Sequence, residues 1–335
     1  MVVAPSSVRV PLSSSAGLVR PRLSYLDQAR RLRVPTREEQ LRRDPYVYHF
    51  WETNDKLLER AWGEWSETQA PALPTLDSSI YHPDLRRAIE EAWKDPSDKE
   101  HTVRSLWKEV APGVYQCQFF DPDKIHQVRA YLDEAAKAGI PTRPPHGIVL
   151  NRHGFMIDPR SYGYLAIPQF QEFYRDLIDT YMRPLGRLFF PDYIQNEDDT
   201  DSFAFSIAYQ AGKDQSIRQH TDASSLTLNI NLNLPDGHEE FSGSSLYFVD
   251  PETGKKHYVD FAPGVAIMHR GATQHAALPI TSGERSNLVL WLFGKQHRYG
   301  GLPYAYEMSP EDRWTKPVLD DGTASSAVEK TWSPF

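Results

Sequence analysis

The sequence predicts an α+β protein in which helices come first and a strand-rich domain follows. Before residue 190, apolar residues recur at helical spacing between proline-containing breaks. From Ser202 onward, short apolar runs alternate with turns that contain Gly, Pro or Asp. Many short strands in succession are typical of a β-sandwich or a barrel. We therefore expect a sandwich or barrel with helices packed against it.

The helical part divides into several segments. Residues 24–66 carry Leu58, Trp62 and Trp65 at helical spacing, which predicts a helical region that packs through these side chains. Further helices are expected over residues 85–94, 123–137 and 169–182, and one strand over residues 110–120. We expect Pro184 to end the last helix, because proline lacks the backbone N–H that a helix interior requires.

Six strands are expected after Ser202. They are SFAFSIAYQ (202–210), SLTLNINLNL (225–234), SSLYFVD (244–250), KKHYVDF (255–261), GVAIMHR (264–270) and SNLVLWLF (286–293). In the second of them Leu and Ile fill the even positions, whereas Thr227, Asn229 and Asn231 fill odd ones. Alternation with a period of two sends these sets to opposite faces of a strand. The polar face either meets water or lines a polar barrel interior, and the pattern leaves both open.

Composition narrows the classes of function. The chain has 335 residues, a net charge of -8 and a pI of about 5.8, so nucleic acid is not an expected partner. No apolar run reaches the 18 residues typical of a membrane span, and the mean hydropathy is -0.57, so no membrane partner is expected. Cys117 is the only cysteine, which excludes an intrachain disulfide and favours a reducing compartment, the cytoplasm or the nucleus.

We expect four segments along the chain. They are a tail over residues 1–23, a helical N-terminal extension over 24–108, a catalytic domain over 109–298 and a C-terminal tail over 299–335. The N-terminal tail holds Arg and Ser but no acidic residue before Asp27. This composition suits an organelle transit peptide and suits a disordered N-terminus equally, so organelle targeting stays open.

Two histidines and one aspartate carry the expected chemistry. His220 and Asp222 are separated by one residue in RQHTDASS, and His275 follows in ATQHAALP. Such a set supplies the 2-His-1-carboxylate facial triad, which binds Fe(II) through three ligands and leaves the opposite positions open. Arg285 follows His275 by ten residues, and its guanidinium could pair bidentately with the distal carboxylate of a dicarboxylic acid such as 2-oxoglutarate. An H-x-D pair alone arises often by chance, but four residues in this order favour an iron oxygenase.

Other histidines are weaker candidates. His269 lies six residues before His275 and could compete as the distal ligand, but only His275 has the ten-residue spacing to Arg285. We interpret His269 as a histidine that lines the barrel or is held by hydrogen bonds. Asn151 and His153 could face a substrate, although ordinary turn chemistry explains them better.

The sequence around HTDASSLTLNINLN and HAALPITSGER resembles the 2-oxoglutarate- and Fe(II)-dependent oxygenases of the prolyl and lysyl hydroxylase group. These two motifs are most similar to the catalytic domain of procollagen lysyl hydroxylases. A wider resemblance runs from VPTREEQL through PGVYQCQFF and NRHGFMID to NLVLWLFG, and it is to the 2-oxoglutarate and iron-dependent oxygenase domain-containing proteins. The resemblance implies a double-stranded β-helix, a jelly-roll, cupin-like core, for residues 109–298, with buttressing helices and the N-terminal helical extension.

The resemblance also implies roles for individual residues. It makes His220, Asp222 and His275 the iron ligands, and it pairs Arg285 with the C5 carboxylate of 2-oxoglutarate. Two further residues are implied to hold the cosubstrate: Tyr209, through its hydroxyl, and Asn231, which lies at a strand position that contacts the cosubstrate in this group. No catalytic residue beyond the metal ligands is implied. SGSSL (242–246) stands where the family has the more glycine-rich GGxL, and we expect this departure to alter the pocket rim rather than the metal site.

The implied cofactors are Fe(II) and O2, with 2-oxoglutarate as cosubstrate, and stimulation by ascorbate is left open. In the implied reaction 2-oxoglutarate is decarboxylated to succinate and CO2 while a C–H bond is hydroxylated. The expected substrate is an amino-acid side chain, lysine or proline, in a peptide, in a protein or free. Because Asp222 occupies the position that chloride takes in related halogenases, halogenation is disfavoured.

Three alternatives stay open at this point. Within the same enzyme class, the chain could tailor or cyclise a small amino-acid-derived metabolite. A non-catalytic sensor could bind metal or a dicarboxylate in a cupin-like barrel without turnover, although an intact triad argues against it. A zinc hydrolase could use the same ligands, but no glutamate stands beside the H-x-D to act as its base.

Overall fold

The structure is a computed structural model. It describes residues 23–42, 44–69, 73–142, 168–195, 201–235, 240–294 and 308–316. Asn151, His153 and nearly all of the expected N-terminal tail lie outside these ranges.

The helices occupy mainly the first part of the chain. They are α1 (Tyr25–Ala29), α2 (Arg37–Leu41), α3 (Pro45–Gln69), α4 (Pro83–Lys94), α5 (Pro96–Leu106), α6 (Ile125–Lys137), α7 (Pro168–Asp176), α8 (Arg183–Phe189) and α9 (Pro310–Arg313). Short 3₁₀ turns cover Ser78–Ile80 and Pro122–Lys124. None of the helices in the described part of the chain is long and apolar enough to cross a bilayer.

The helical boundaries depart from the sequence pattern at two places in the N-terminal part of the chain. The region predicted over 24–66 is three helices, because a new helix starts at the Thr36 capping box with Glu39 and another at Pro45. Helix α5 was not anticipated, although Asp95 caps it and Pro96 opens it.

The prediction that Pro184 ends a helix was wrong. Helix α7 runs on through the π-helical turn Leu177–Met182 into α8, and Pro184 lies in the first turn of α8. A change from π to α hydrogen bonding leaves some N–H groups without a partner, so a residue without an N–H is tolerated at this junction.

Twelve strands are present in the described residues. They are β1 (Lys108–Ala111), β2 (Val114–Gln118), β3 (Asp201–Gln210), β4 (Ile217–His220), β5 (Leu226–Asn231), β6 (Ser242–Gly243), β7 (Leu246–Val249), β8 (Lys256–Val259), β9 (Val265–Arg270), β10 (His275–Ala277), β11 (Ile280–Ser282) and β12 (Glu284–Phe293). The single strand expected over 110–120 is a hairpin, because Gly113 turns the chain with a φ of 67°.

The strands form the expected jelly roll. One sheet has the order β1-β2-β9-β5-β12-β3, and a second has the order β4-β10-β7-β8. Every pair is antiparallel, and the pairs β3–β12, β4–β10, β5–β9 and β7–β8 nest from the outside of the chain inward. This nesting is the topology of a double-stranded β-helix, which confirms the predicted fold class. Strands β6 and β11 form a small separate sheet.

The polar face of β5 points into the barrel. On its apolar face, Leu226 meets helix α8, where a Cβ added to Gly186 would lie 2.9 Å from the Leu226 side chain. On its polar face, Thr227 and Asn231 are fully buried and Asn229 is partly buried. Helices thus cover the outside of the larger sheet, and β5 presents its polar face to the barrel interior.

A single hydrophobic core connects the N-terminal helices with the barrel. It includes Trp62 on α3 and Leu85 on α4 together with Leu228 inside the larger sheet. Tyr81 and Tyr181 stack at the centre of this contact, with ring centroids 3.7 Å apart. The division into an extension over 24–108 and a domain over 109–298 stays a prediction, because the core runs across that boundary without a break.

Candidate active site

The three predicted ligands meet at one end of the barrel. His220 ends β4, Asp222 follows in the loop to β5, and His275 begins β10 directly opposite His220. Nε2 of His220 is 3.5 Å from Oδ1 of Asp222, and Nε2 of His275 is 3.8 Å from the same oxygen. All three ligand atoms lie within 4.8 Å of one another. Residues far apart in sequence are thereby brought into a cluster that could hold one metal ion.

Backbone carbonyls orient both imidazoles. Nδ1 of His220 lies 2.7 Å from the carbonyl oxygen of Arg218, and Nδ1 of His275 lies 3.0 Å from that of Thr273. Since a carbonyl can only accept, each Nδ1 carries the proton and donates it to the carbonyl oxygen. Each Nε2 therefore turns a lone pair toward Asp222, as a metal ligand requires. Two imidazole nitrogens and one carboxylate oxygen are a donor set that suits Fe(II).

The second oxygen of Asp222 is held by hydroxyl groups. The Thr227 hydroxyl donates to Oδ2 of Asp222 over 2.7 Å, and the hydroxyls of Ser224 and Thr227 are 2.8 Å apart. Nε2 of the fully buried His269 lies 3.9 Å from the same Oδ2. These neighbours leave Oδ1 as the oxygen that faces the two ligand histidines.

Electrostatics keep Asp222 and His275 in the protonation states that metal binding needs. Burial alone would raise the pKa of Asp222, but His275, His220, His269 and the Thr227 hydroxyl outweigh it and hold that pKa well below its usual range. Burial lowers the pKa of His275 despite the attraction of Asp222. Burial and the neighbouring His275 lower the pKa of His269 to about 4. For His220, burial lowers the pKa, but the hydrogen bonds and charge of Asp222 offset this and leave it raised. A carboxylate and largely neutral imidazoles are the metal-binding forms.

A buried cation occupies the same barrel interior. Arg285 begins β12, pairs in register with Tyr209 on β3, and is 1% exposed. Its guanidinium carbon lies 4.4 Å from the centre of the Tyr209 ring, and Nη1 donates to the carbonyl oxygen of Ser244. Burial lowers the pKa of Arg285, and Tyr209 opposes this change. Burial raises the pKa of Tyr209, against the opposing effect of Arg285. The Arg285 side chain therefore remains a cation at neutral pH.

The guanidinium keeps two donors without a partner. Neither Nε nor Nη2 of Arg285 has a hydrogen-bond partner among the described residues. These two N–H groups point in parallel on one edge of the guanidinium, which is the edge that binds a carboxylate bidentately. A buried, unpaired cation is costly, so the site fits the distal carboxylate of 2-oxoglutarate.

Asn231 on β5 and Asn287 on β12 differ in how many hydrogen bonds their side-chain amides form. Asn231 donates to the carbonyl oxygen of Phe261 and accepts from the backbone N–H of Asn233 at 2.7 Å. Its expected contact with the cosubstrate stays a prediction, and these bonds favour a role in holding the backbone. Asn287 on β12 instead donates to Asn229 over 3.0 Å, and its own carbonyl oxygen has no partner among the described residues.

Sequence reasoning placed the ligands but missed several of their supports. His269 lies on the inner face of β9, opposite Thr227, and Nδ1 donates to the carbonyl oxygen of Arg270 over 2.8 Å, as the interpretation of a barrel-lining histidine expects. Thr227, Ser244 and Asn287 were not singled out. Thr227 could have been found from its place on the polar face of the strand that follows Asp222.

Residues 193–294 match the sequence model of the 2OG-Fe(II) oxygenase superfamily. The matched segment contains His220, Asp222, His275 and Arg285. Residues 193–294 are therefore a 2OG-Fe(II) oxygenase domain. The predicted family, the reaction class of a 2-oxoglutarate-dependent non-haem iron dioxygenase, and the cofactors Fe(II), 2-oxoglutarate and O2 are thereby confirmed.

Relatives of this oxygenase chain cover much of its length. It is 28% identical over 270 residues to the 2-oxoglutarate and iron-dependent oxygenase domain-containing protein 2 of Xenopus tropicalis, a match to 78% of this chain and 70% of that protein. It is 27% identical over 230 residues to the 2-oxoglutarate and iron-dependent oxygenase domain-containing protein ICU11 of Arabidopsis thaliana, where 65% of this chain spans 53% of the relative.

A solved prolyl-4-hydroxylase from Pseudomonas putida is also similar. It shares 18% identity and a TM-score of 0.38, and the match covers 64% of this oxygenase chain and 97% of that one.

Proposed function

We propose that this protein hydroxylates a C–H bond of an amino-acid side chain, with Fe(II) bound by His220, Asp222 and His275. In this proposal 2-oxoglutarate is anchored by Arg285 and Tyr209. The observation that carries it is the presence, within one barrel, of a three-ligand cluster with ligand atoms within 4.8 Å and a buried guanidinium with an unpaired donor edge. Either feature alone would support metal binding or anion binding, whereas both together are what a chelating 2-oxo dicarboxylate requires.

The ligand residues supply a fixed face for the metal. Nε2 of His220, Nε2 of His275 and Oδ1 of Asp222 converge from one side, so the opposite side stays open to the cosubstrate, O2 and the substrate. The carbonyl groups behind both imidazoles and the Thr227 hydroxyl behind Asp222 hold these donors in place before a metal arrives. Bound Fe(II) would supply the O2 chemistry, with electrons from the oxidative decarboxylation of 2-oxoglutarate to succinate and CO2.

Arg285 and Tyr209 would fix the far end of the cosubstrate. The unpaired Nε and Nη2 of Arg285 are available to the C5 carboxylate, and the phenol of Tyr209 packs against the same guanidinium. Because this end of the pocket is fully buried, the ion pair is shielded from water and is correspondingly strong. The distal carboxylate thereby determines the orientation of the chelating keto acid at the other end.

Lysine or proline side chains, free or in a peptide, are the substrates that we propose. The resemblance of HTDASSLTLNINLN and HAALPITSGER to the prolyl and lysyl hydroxylase group supports this proposal. We expect the reaction to end in hydroxylation rather than halogenation, because the carboxylate of Asp222 takes the position that chloride would need.

The test is succinate production from 2-oxoglutarate under O2 with purified protein and Fe(II). Free amino acids, lysyl and prolyl peptides and a metabolite extract are screened in parallel, with Asp222→Ala as the control for iron-dependent turnover. We expect succinate to rise with an amino-acid substrate and the product to gain one oxygen atom. A product that loses two hydrogens instead would indicate the tailoring or cyclising enzyme. An anaerobic metal-to-ligand absorption band without any succinate under O2 would indicate a sensor and would contradict the proposal.

For the compartment, we propose the cytoplasm or the nucleus. The only cysteine, Cys117, is buried, and burial raises the pKa of its thiol to about 12, so it is suited to remain reduced. Imaging of the tagged full chain beside a variant without residues 1–23 tests this, since an organelle signal that disappears with those residues would show targeting.

A further inference from the structure

Ser244 has an unusual backbone conformation beside the cosubstrate pocket. It is the one residue other than glycine with a positive φ in the described part of the chain, at 57°. A side chain in this left-handed region is strained, and serine is not among the residues that visit it readily. The preceding Gly243 also has a positive φ, and a Cβ there would lie 2.5 Å from the carbonyl oxygen of Pro279. Glycine would therefore fit this backbone conformation better than a residue with a side chain at both positions.

The backbone of Ser244 is held from two sides. Its N–H donates to the carbonyl oxygen of Pro279 over 3.0 Å, and its carbonyl oxygen accepts from Nη1 of Arg285. Ser244 is thus a direct neighbour of the cation that we assign to the C5 carboxylate. The residue is 2% exposed, so its side chain is buried.

The hydroxyl group of Ser244 has no hydrogen-bond partner in the described part of the chain. Its Oγ is buried and forms no hydrogen bond with any described residue. A buried hydroxyl without a partner is unfavourable, because it has lost its bonds to water and gained none. Strain and an unsatisfied hydroxyl at one residue both favour glycine, yet the chain carries serine here, in SGSSL rather than the family's GGxL.

The same lack of partners occurs on the adjacent Arg285. Its Nε and Nη2 also lack a partner among the residues that the structure describes. Three unpaired donors on two neighbouring buried residues are what a carboxylate with two acceptor oxygens would satisfy. We propose that Oγ of Ser244 donates a hydrogen bond to the distal carboxylate of the cosubstrate, together with the Arg285 fork. This inference rests on the proposed function, because it assumes that a dicarboxylic 2-oxo acid occupies the pocket.

The consequence is a specific selection for dicarboxylates. Arg285 supplies charge, whereas Ser244 would supply a neutral donor at a fixed position, which discriminates between a distal carboxylate and an apolar end. The strained backbone keeps this donor at the carboxylate rather than in water. A loop expected only to alter the pocket rim would then be part of cosubstrate recognition.

Ser244→Ala tests the inference because it removes only the hydroxyl. The full chain is loaded with Mn(II) in place of Fe(II), and binding of 2-oxoglutarate is measured by calorimetry together with the melting temperature of the ligand-free protein. We expect the Kd for 2-oxoglutarate to rise about tenfold, the loss of one hydrogen bond to a charged group. The ligand-free melting temperature should rise by about 2 °C, because an unsatisfied buried hydroxyl is gone. A purely structural residue would not make binding weaker and the protein more stable in the same variant.

Two further variants serve as controls. Ser244→Gly removes the strain as well as the hydroxyl, so it should fold and melt at least as high as the alanine variant while it binds 2-oxoglutarate equally weakly. Ser202→Ala removes a buried hydroxyl that has a partner, Tyr174, at 2.7 Å on the outer face of β3. It should lower the melting temperature and leave the Kd for 2-oxoglutarate unchanged.

A second ligand separates the carboxylate contact from a general effect on the pocket. 2-Oxopentanoate has the same chain length as 2-oxoglutarate but lacks the distal carboxylate, so wild type and Ser244→Ala should bind it equally. An equal loss for both ligands would overturn the inference. So would an unchanged Kd for 2-oxoglutarate in a wild-type background that binds it, although the proposed function would then stand. Failure of the wild-type protein to bind 2-oxoglutarate at all would overturn both.

Discussion

Two ends of the barrel pocket are built in opposite ways. The metal end contains His220, Asp222 and His275, and the arginine end contains Arg285 and Ser244. At the metal end, each proposed ligand already has a partner: a carbonyl oxygen behind His220, another behind His275, and a hydroxyl behind Asp222. At the other end, two donors of Arg285 and one of Ser244 have no partner among the described residues. The metal end is organised by the protein itself, whereas the arginine end is left incomplete for a ligand.

In this barrel, one end fixes the geometry of metal binding, whereas the other end provides the affinity for a carboxylate. Pre-paired ligands fix where a metal binds, and this precision costs little because the outer polar atom of each proposed ligand already has a hydrogen-bond partner. Unpaired donors destabilise the empty pocket and become favourable only when a carboxylate arrives. Substitutions at the two ends should therefore have opposite effects on the stability of the ligand-free protein, as the following predictions state.

The largest effect is expected from the loss of a ligand. His275→Ala should reduce succinate production at saturating Fe(II) by more than about 100-fold, since two remaining ligands hold the metal poorly and in the wrong geometry. Turnover is measured beside far-ultraviolet circular dichroism, which should remain that of the wild type. Succinate production near the wild-type rate would remove His275 from the metal site.

The next largest effect is expected at the arginine end. Arg285→Met keeps the bulk but removes the charge, and the KM for 2-oxoglutarate should rise about 100-fold, because a buried carboxylate loses its bidentate partner. The ligand-free protein should melt no lower than the wild type, since an unpaired buried cation is gone. If the melting temperature falls sharply instead, the contrast between the two ends is wrong.

Acid should weaken the metal end before it affects the rest of the protein. Burial lowers the pKa of His269 from 6.5 to about 4. A lowered pKa means that the unfolded chain takes up this proton first, so the stability contribution is present above pH 6.5 and is lost as the pH falls toward 4. The loss from this group is about 2–3 kcal/mol. Urea unfolding of the metal-free protein at pH 7 and pH 4 measures it.

His269→Gln provides the control for that measurement. Glutamine cannot titrate, so the variant should lose correspondingly less stability over the same pH range than the wild type does. Equal losses in both proteins would assign the acid sensitivity to other groups, such as His275, whose pKa burial also lowers.

The smallest effect is expected from the hydroxyl behind Asp222. Thr227→Val keeps the shape and removes the hydrogen bond to Oδ2, so the affinity for Co(II) should fall about tenfold, and the visible spectrum of the Co(II) protein should change as the carboxylate turns. Thr227→Ser should restore both. The melting temperature of the metal-free valine variant should fall, in contrast to the variants at the arginine end. Unchanged Co(II) affinity would show that Thr227 does not position the ligand.

How much could be predicted from sequence differed between the two ends. His220 and Asp222 are separated by one residue, so a local pattern announces them. Arg285 was found through its spacing from His275. Ser244 was noted only as a departure from a glycine-rich motif, because its conformation and its contact with Arg285 depend on strands that are distant in sequence. A local sequence pattern identifies the candidate metal ligands. It does not show which buried donors lack a hydrogen-bond partner.

The fold, too, could be predicted only in part from the sequence. Alternating residues in SLTLNINLNL defined two faces but left open which one is solvated. Packing of α8 against Leu226 decided it, because both faces of β5 are buried and only the polar one lines the barrel. The sequence pattern did not predict the hairpin at Gly113, although Pro112-Gly113 is a local turn signal. It also did not predict the π-helical turn before Pro184, because a proline in a helical pattern usually marks its end.

By itself, the sequence determined the residue types that can bind a metal and a dicarboxylate, the periodicity of the strands and the absence of a disulfide within the chain. Only the tertiary structure decided that His275 pairs opposite His220 and that Arg285 pairs opposite Tyr209. The physical reason is that backbone hydrogen bonds between strands fix these partners through their register. A register joins segments far apart in the chain, and a shift of one residue would turn every side chain to the opposite face.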